Sequence, residues 1–212
     1  MKILSLDSSS PVASVAVVSA EGDVESLLFE ENSPHARSDS SPLFRSLEKA
    51  VSLCGTPDAL CVGLGPGSYN GLRASIAAAR ALSTAFQCPL HALPSPLGLP
   101  GPAEGFWAAG DARGGHLWVA CVKERSLLEK PILLTPADVS RHLGKRPEFP
   151  VLGSSNLGEI PSLKIATPSA FLLARLALRC DPMYLSDLTP EPLYLKPPHI
   201  TAPKSAVEAA PR

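Results

Sequence analysis

The chain has 212 residues, 45% of them hydrophobic and 18% charged, with a formal net charge of −1, which is enough apolar material for one large or two small packed units. Charge so near balance excludes the electrostatic footprint of a protein that binds nucleic acid unaided, since such proteins carry a basic stripe. No apolar run approaches the ~18 residues of a membrane span, and Ile3, Leu4 and Leu6 before Asp7 do not make a signal-peptide core, so the expected compartment is the cytoplasm.

Lys2 to Leu6, Pro11 to Val18 and Val24 to Phe29 read as three short strands. The last two alternate in polarity and are joined by the turn signal Glu21, Gly22, Asp23, which predicts an antiparallel meander. Asp7 ends the first strand, and Ser8, Ser9 and Ser10 make a hydroxyl-rich turn into the second. Residues of this kind bond their own backbone in turns, so a purely structural role competes with ligand contact here. Ser38 to Cys54 reads as a helix because Leu43, Phe44, Leu47, Val51 and Cys54 recur on one helical face, and Gly55 and Pro57 end it.

The run Ala59, Leu60, Cys61, Val62 predicts a strand buried on both faces. It enters a turn rich in glycine, with Gly63, Gly65, Gly67 and Gly71 around Pro66, and then a helix from Leu72 to Phe86. Such a turn offers backbone N–H groups at a helix N-terminus, so an anion site is one reading and close packing of helix on sheet is the other. Two phosphate motifs are excluded. Gly71 is followed by Leu72 and Arg73 instead of lysine and a hydroxyl residue. No Asp or Glu stands between Gly71 and Ala103 to serve a dinucleotide fingerprint. The helix carries alanine at 74, 77, 78, 79, 81 and 85, with Leu72, Ile76, Leu82 and Phe86 as larger contacts and only Arg73 and Arg80 charged, so it is expected to wedge between other elements.

Pro89 to Ala92 reads as a further strand, and the prolines crowded between Pro89 and Pro102 mark a linker. Beyond it, Phe106 to Ala109, Leu117 to Val122 and Leu127 to Leu134 predict three strands. Thr135, Pro136 and Asp138 open a short helix that Gly144 stops; Pro150 to Leu152 is another strand, and Thr167 with Pro168 caps a last helix through Cys180. Prolines after Pro182 mark a region of turns, and Ala202 to Arg212 carries nothing that would hold it in a core.

Catalytic signatures are thin. The five cysteines, Cys54, Cys61, Cys88, Cys121 and Cys180, contain no C-x-x-C pair and read as reduced core thiols. His35, His91, His116, His142 and His199 form neither H-x-x-x-H nor H-E-x-x-H. Gly153, Ser154, Ser155 and Asn156 approach a nucleophile elbow, but Leu157 stands where G-x-S-x-G needs glycine.

Four stretches, in order along nearly the whole chain, carry a family resemblance. GPGSYNGLRASIAAARALS, beginning at Gly65, resembles the GPGSFTGLR signature of the TsaB (YeaZ) family, with Tyr69 and Asn70 in place of Phe and Thr. KILSLDSSSPVASVAV resembles that family's opening, Asp111 to Gly115 its DAR-x-G segment, and Pro192, Leu193, Tyr194, Leu195, Lys196 its terminal P-V-Y-L-R. The resemblance implies an α/β fold of two tandem actin-like (ASKHA, ribonuclease H-like) lobes, each a mixed sheet with flanking helices, the second abbreviated. The expected divisions are 1–103 and 104–200, with 201–212 a flexible tail. In the superfamily the first hairpin faces the nucleotide, which makes Asp7, Ser8, Gly65 and Gly67 the candidate nucleotide contacts.

The related catalytic TsaD group holds its metal on an H-H-M-E-G-H segment. Aligned without gaps from Gly65, that segment falls on Pro94 to Leu99 and puts Ser95 and Leu99 at the ligand positions. Neither side chain suits a divalent metal. The resemblance therefore implies a chain with no catalytic residues, no metal and no cofactor of its own, with ATP or ADP entering only at a complex interface. Its implied role is scaffold and dimerisation partner of a TsaD-like transferase, which makes threonylcarbamoyladenosine beside the tRNA anticodon with a TsaE-like ATPase and a TsaC-like synthetase. tRNA would be met only through that complex, and no membrane is involved. The expected partner surface is Leu43, Phe44, Leu47 and Val51 with Leu72, Arg73 and Ile76, pairing with matching helices of the transferase subunit or of a second copy. Two other functions compete. One is an ATP-dependent small-molecule kinase using Asp7 and the glycine turn, with Asp111 as the conceivable base; the other is a self-associating interaction module.

Overall fold

The structure, a computed structural model, describes residues 1–22, 24–35, 39–179 and 189–196. Asp23, the helix start at Ser38, the helix end at Cys180, His199 and the tail from Ala202 lie outside those residues.

Two five-stranded sheets make the frame. The first contains β1 (Lys2–Asp7), β2 (Val12–Glu21), β3 (Val24–Pro34), β4 (Ala59–Gly63) and β5 (Leu90–Leu93), in the order β3-β2-β1-β4-β5. The second contains β6 (Phe106–Asp111), β7 (Leu117–Lys123), β8 (Ser126–Leu134), β9 (Val151–Gly153) and β10 (Lys164–Ile165), in the order β10-β9-β6-β7-β8. In each sheet the first three strands form an antiparallel meander and the last two add in parallel beside the first. The sheets thus repeat one topology, and the fold is two tandem actin-like lobes.

The lobes differ where helices are placed. In the first lobe α1 (Ser41–Cys54) follows the meander and α2 (Tyr69–Phe86) links β4 to β5. In the second, α3 (Pro136–Leu143) takes the place of α1, but only coil from 154 to 163 stands where α2 would be. That missing helix is what makes the second lobe short. The 10-residue strand β2 and 11-residue strand β3 run further than their sequence suggests, because each continues as long as the ladder between them continues. β10, only two residues long, carries no signal in the sequence.

Alternation sets the core. Leu4, Leu6, Leu60 and Val62 face α1 and α2, where Leu43, Leu47, Ile76 and Ala79 cover them. Ile3, Ala59 and Cys61 face the other way, toward α4 (Ala170–Arg179). The expectation assigns this last helix to the second lobe, but it lies against β1, β2 and β4 of the first. Its Leu173, Ala174 and Ala177 share one cluster with Phe106, Ala108 and Trp118 of the second sheet, so α4 is the spine between the lobes. Ser14 of β2 fixes its start by accepting the Ala170 N–H at 2.8 Å.

The proline-rich stretch after β5 is a wedge and not a linker. Ser95–Gly98 forms a 3-10 turn, and Ser95 to Leu99 are all buried, with Leu97 and Leu99 in the inter-lobe cluster. Apolar side chains between the prolines are what draw it inward. Cys54, Cys61 and Cys121 are buried, and Cys88 is half-buried. Among the described residues no helix is long and apolar enough to cross a membrane.

Candidate functional site

A cleft of about 360 Å³ opens between the lobes at the C-terminal ends of their parallel strands. One wall is built by the turn after β1 and the glycine turn after β4, through Ser9, Ser10, Pro66, Gly67 and Ser68. The other comes from the ends of β6 and β9, through Asp111, Arg113, Ser154 and Ser155. Such a position, outside the carboxyl ends of the strands, is where open α/β sheets place ligands.

Asp7, at the end of β1, lies behind the first wall and is fully buried. Its Oδ1 accepts the Ser9 backbone N–H at 2.8 Å and the Ser9 hydroxyl at 2.7 Å. Its Oδ2 accepts the Ser95 hydroxyl at 2.5 Å. Ser95 is held in turn by the glycine turn, taking the Gly65 N–H on its Oγ at 2.8 Å and giving its own N–H to the Gly65 carbonyl at 3.0 Å. Burial pushes the Asp7 carboxyl above its ordinary range, against the opposing pull of these three donors. The carboxylate is spent inside the protein.

The glycines close the remaining space. A Cβ on Gly63 would stand 1.8 Å from Asp7 Oδ2, one on Gly67 2.1 Å from the Ser9 carbonyl, and one on Gly71 2.0 Å from the Ser8 carbonyl. These glycines let the Ser8–Ser10 turn lie directly on the glycine turn, and the Ser68 N–H donates to Ser9 O at 2.7 Å. The packing reading of the turn therefore describes it better than the anion reading. The structure brings Asp7, Ser8, Gly65 and Gly67 together, but Asp7, Ser8 and Gly65 are buried behind the wall and only Gly67 is exposed in the cleft.

The partner residues divide in the same way. Leu43, Leu47, Leu72 and Ile76, at 1%, 5%, 0% and 5% exposure, belong to the chain's own core. The sheet beneath α1 and α2 needs one apolar stripe from each helix, and these residues supply it. Phe44, at 50% exposure, and Arg73 face out, and Val51 is half-buried. Also exposed on α2 are Ala77, Arg80, Ala81, Thr84 and Ala85.

Asp111 is exposed on the cleft wall, where its Oδ1 accepts the Arg113 backbone N–H at 2.6 Å. It shapes the turn through Arg113, which has φ 59°. The described histidines are scattered. His35 Nε2 lies 3.1 Å from the Ser10 carbonyl, His116 Nδ1 2.8 Å from the Gly114 carbonyl and His142 Nε2 3.0 Å from Glu129. Among the described residues no three His, Cys, Asp or Glu side chains gather as a metal set. Sequence reasoning missed Ser95 as the partner of Asp7, and it missed Tyr194, which stacks on Tyr69 with ring centroids 5.2 Å apart. The terminal resemblance at Pro192 to Lys196 was the one signal for the latter.

Residues 35–99 match the TsaD family, tRNA N6-adenosine threonylcarbamoyltransferase. A solved structure from Pseudomonas aeruginosa, described as an uncharacterized protein with similarity to peptidase YeaZ, superposes with a TM-score of 0.71 at 22% identity, covering 92% of this chain and 99% of that one. YeaZ from Pseudomonas aeruginosa superposes with a TM-score of 0.62 at 21% identity, covering 84% and 91%. No curated protein matches the sequence.

Proposed function

We propose that this TsaB/YeaZ-like chain is a non-catalytic scaffold subunit that supports a TsaD-like transferase in making threonylcarbamoyladenosine on tRNA. The observation that carries this reading is the knot of Asp7, Ser95 and Gly65. The aspartate that would face a metal is satisfied by three internal donors, and Ser95, at one metal-ligand position of the transferase group, is the hydroxyl that satisfies it. Leu99, at the other, is buried between the lobes. A catalytic centre needs open ligands, and these residues are committed to packing.

The partner surface consistent with this role is the outer face of α1 and α2. The TsaD match over 35–99 includes both helices, so a TsaD-like subunit would present a similar pair, and like pairs bury each other by isologous packing. Phe44 and Arg73, with the exposed alanines of α2, are the residues expected to meet it. A TsaE-like ATPase and a second copy of this chain are further partners of the same reading, with any ATP or ADP bound at a complex interface.

Reconstitution tests the role. Threonylcarbamoyl transfer to tRNA is expected from a TsaD-like subunit together with this chain, and none from this chain alone; transfer by the lone chain overturns the reading. The cleft favours one second reading, an ATP-dependent kinase, because it lies between the lobes beside the glycine turn. Isothermal titration of the lone chain with ATP and magnesium separates the two. Stoichiometric heat supports the kinase, and a flat trace supports the scaffold.

A further inference from the structure

The segment from Thr189 to Lys196 joins neither sheet, yet it touches both lobes. The Leu193 N–H donates to the carbonyl of Leu64 at 2.8 Å, one residue before Gly65. Tyr194 stacks on Tyr69, the first residue of α2, at 26° between planes, and Arg73 donates to the Tyr69 hydroxyl at 3.1 Å. Lys196 Nζ donates to the Arg113 carbonyl at 2.8 Å. The side chains alternate to match. Leu193 packs on the cluster beneath α1 and α2, and Leu195 packs on the inter-lobe cluster.

Within four residues the chain therefore passes from a turn of the first lobe to a turn of the second. Leu64 precedes Pro66 and Gly67 on one cleft wall, and Arg113 is part of the other. The two lobes are joined in the core by α4, which acts as the spine about which they would rotate. Any rotation that widens the cleft separates Leu64 from Arg113, and so has to break the Leu193 bond, the tyrosine stack or the Lys196 bond.

We propose that Leu193 to Lys196 is a clasp that fixes the spacing of the two cleft walls. It acts as a strap across the rim, while α4 acts as the hinge behind it. The proposal concerns the lone chain and stands independently of the transferase partnership.

Hydrogen exchange on the full chain, read by mass spectrometry, tests it. The reporters on the first wall are the Leu64 N–H bonded to Leu93 O and the Ser95 N–H bonded to Gly65 O. Those on the second are the Ala112 N–H bonded to His116 O and the His116 N–H bonded to Arg113 O. With Leu193→Ala, Tyr194→Ala and Lys196→Met combined, exchange should quicken about tenfold or more on both walls together, while β2 and β7 keep their protection. Lys196→Met alone keeps the aliphatic stem, removes the ammonium donor, and should move both walls in the same direction by less. Either wall unchanged in the triple variant overturns the clasp. If the triple variant fails to fold, the single one decides: coincident loosening supports the proposal, and no change, or change on one wall only, overturns it.

Discussion

Among the described residues the hydrogen-bond partners of the buried Asp7 carboxyl are Ser9 and Ser95, neither of them a cation. Because burial raises its folded-state pKa above the ordinary value of 3.8, the native protein holds this proton at pH values where the unfolded chain has released it. The stability it contributes is full below the unfolded value and is lost as pH rises through the folded one. Asp7→Asn cannot titrate, so its stability relative to the parent should improve as pH rises above about 4 and level off once pH has passed the folded-state value of Asp7. Urea midpoints of both proteins from pH 4 to 8 check this, and a constant difference across the range would refute it. The amide should also carry a penalty of its own, because Asn places an NH2 donor where one of the two Asp7 oxygens accepts, from Ser9 or from Ser95. The sequence placed Asp7 at a strand end beside three serines, which was legible. Ser95 was not, since it lies 88 residues further on and nothing local marks two residues that meet only when β1 and the turn after β5 close on the glycine turn.

At the scale of elements, the helices and the meanders were readable because each repeats a period over many residues. What one helix face does with its apolar stripe was harder to read, since a stripe that covers a sheet and one that meets a partner look alike. In α1 the stripe splits. Leu47 is buried against the first sheet, and Phe44 is half exposed. Leu47→Ala should therefore cost about 2 to 5 kcal/mol of stability through the cavity it leaves, whereas Phe44→Ala should change stability by roughly 0.5 kcal/mol or less. Chemical denaturation followed by circular dichroism measures both, and equal losses would contradict the assignment. Charged residues at Leu43 and Leu47 should unfold the chain, not merely prevent its assembly. The spine helix α4 offers another test of packing from a distance. Ser14 lies 156 residues before Ala170 in sequence yet accepts its N–H as a buried cap, so Ser14→Ala should lower stability by about 1 kcal/mol, with faster exchange concentrated in α4. Unchanged protection of α4 would show that the Ser169 hydroxyl, which accepts from Leu172 at 3.3 Å, caps the helix sufficiently alone.

For the whole molecule, the repeated sheet topology was legible from the recurring order of strands and helix, but the crossing of α4 back to the first lobe was not, because an apolar helix pattern does not say which sheet it covers. The same repetition leaves one asymmetry with a consequence for assembly. Only the first lobe has a helix between its fourth and fifth strands, and the outer side of that helix carries Arg73, Ala77, Arg80, Ala81, Thr84 and Ala85, all exposed. Residues three and four apart share a helix face, so Ala77, Ala81 and Ala85 form a line of small residues, with Arg73, Arg80 and Thr84 beside it. Helices with small residues at the contact approach to the short end of the usual 8 to 10 Å range. A glutamate at Ala77 would put bulk and charge on the line of small residues and prevent that approach. In the lone chain the same charge would face water, within one turn of both Arg73 and Arg80, and should leave the helix at least as stable as before. Ala77→Glu thus separates assembly from folding. Sedimentation of the variant with a TsaD-like subunit should show association weakened by about thirtyfold or more, the equivalent of about 2 kcal/mol, while its denaturation midpoint stays at the parent value. Undiminished association would place the partner on another face of the protein, and a lowered midpoint would mean that the line of small residues is part of the chain's own packing.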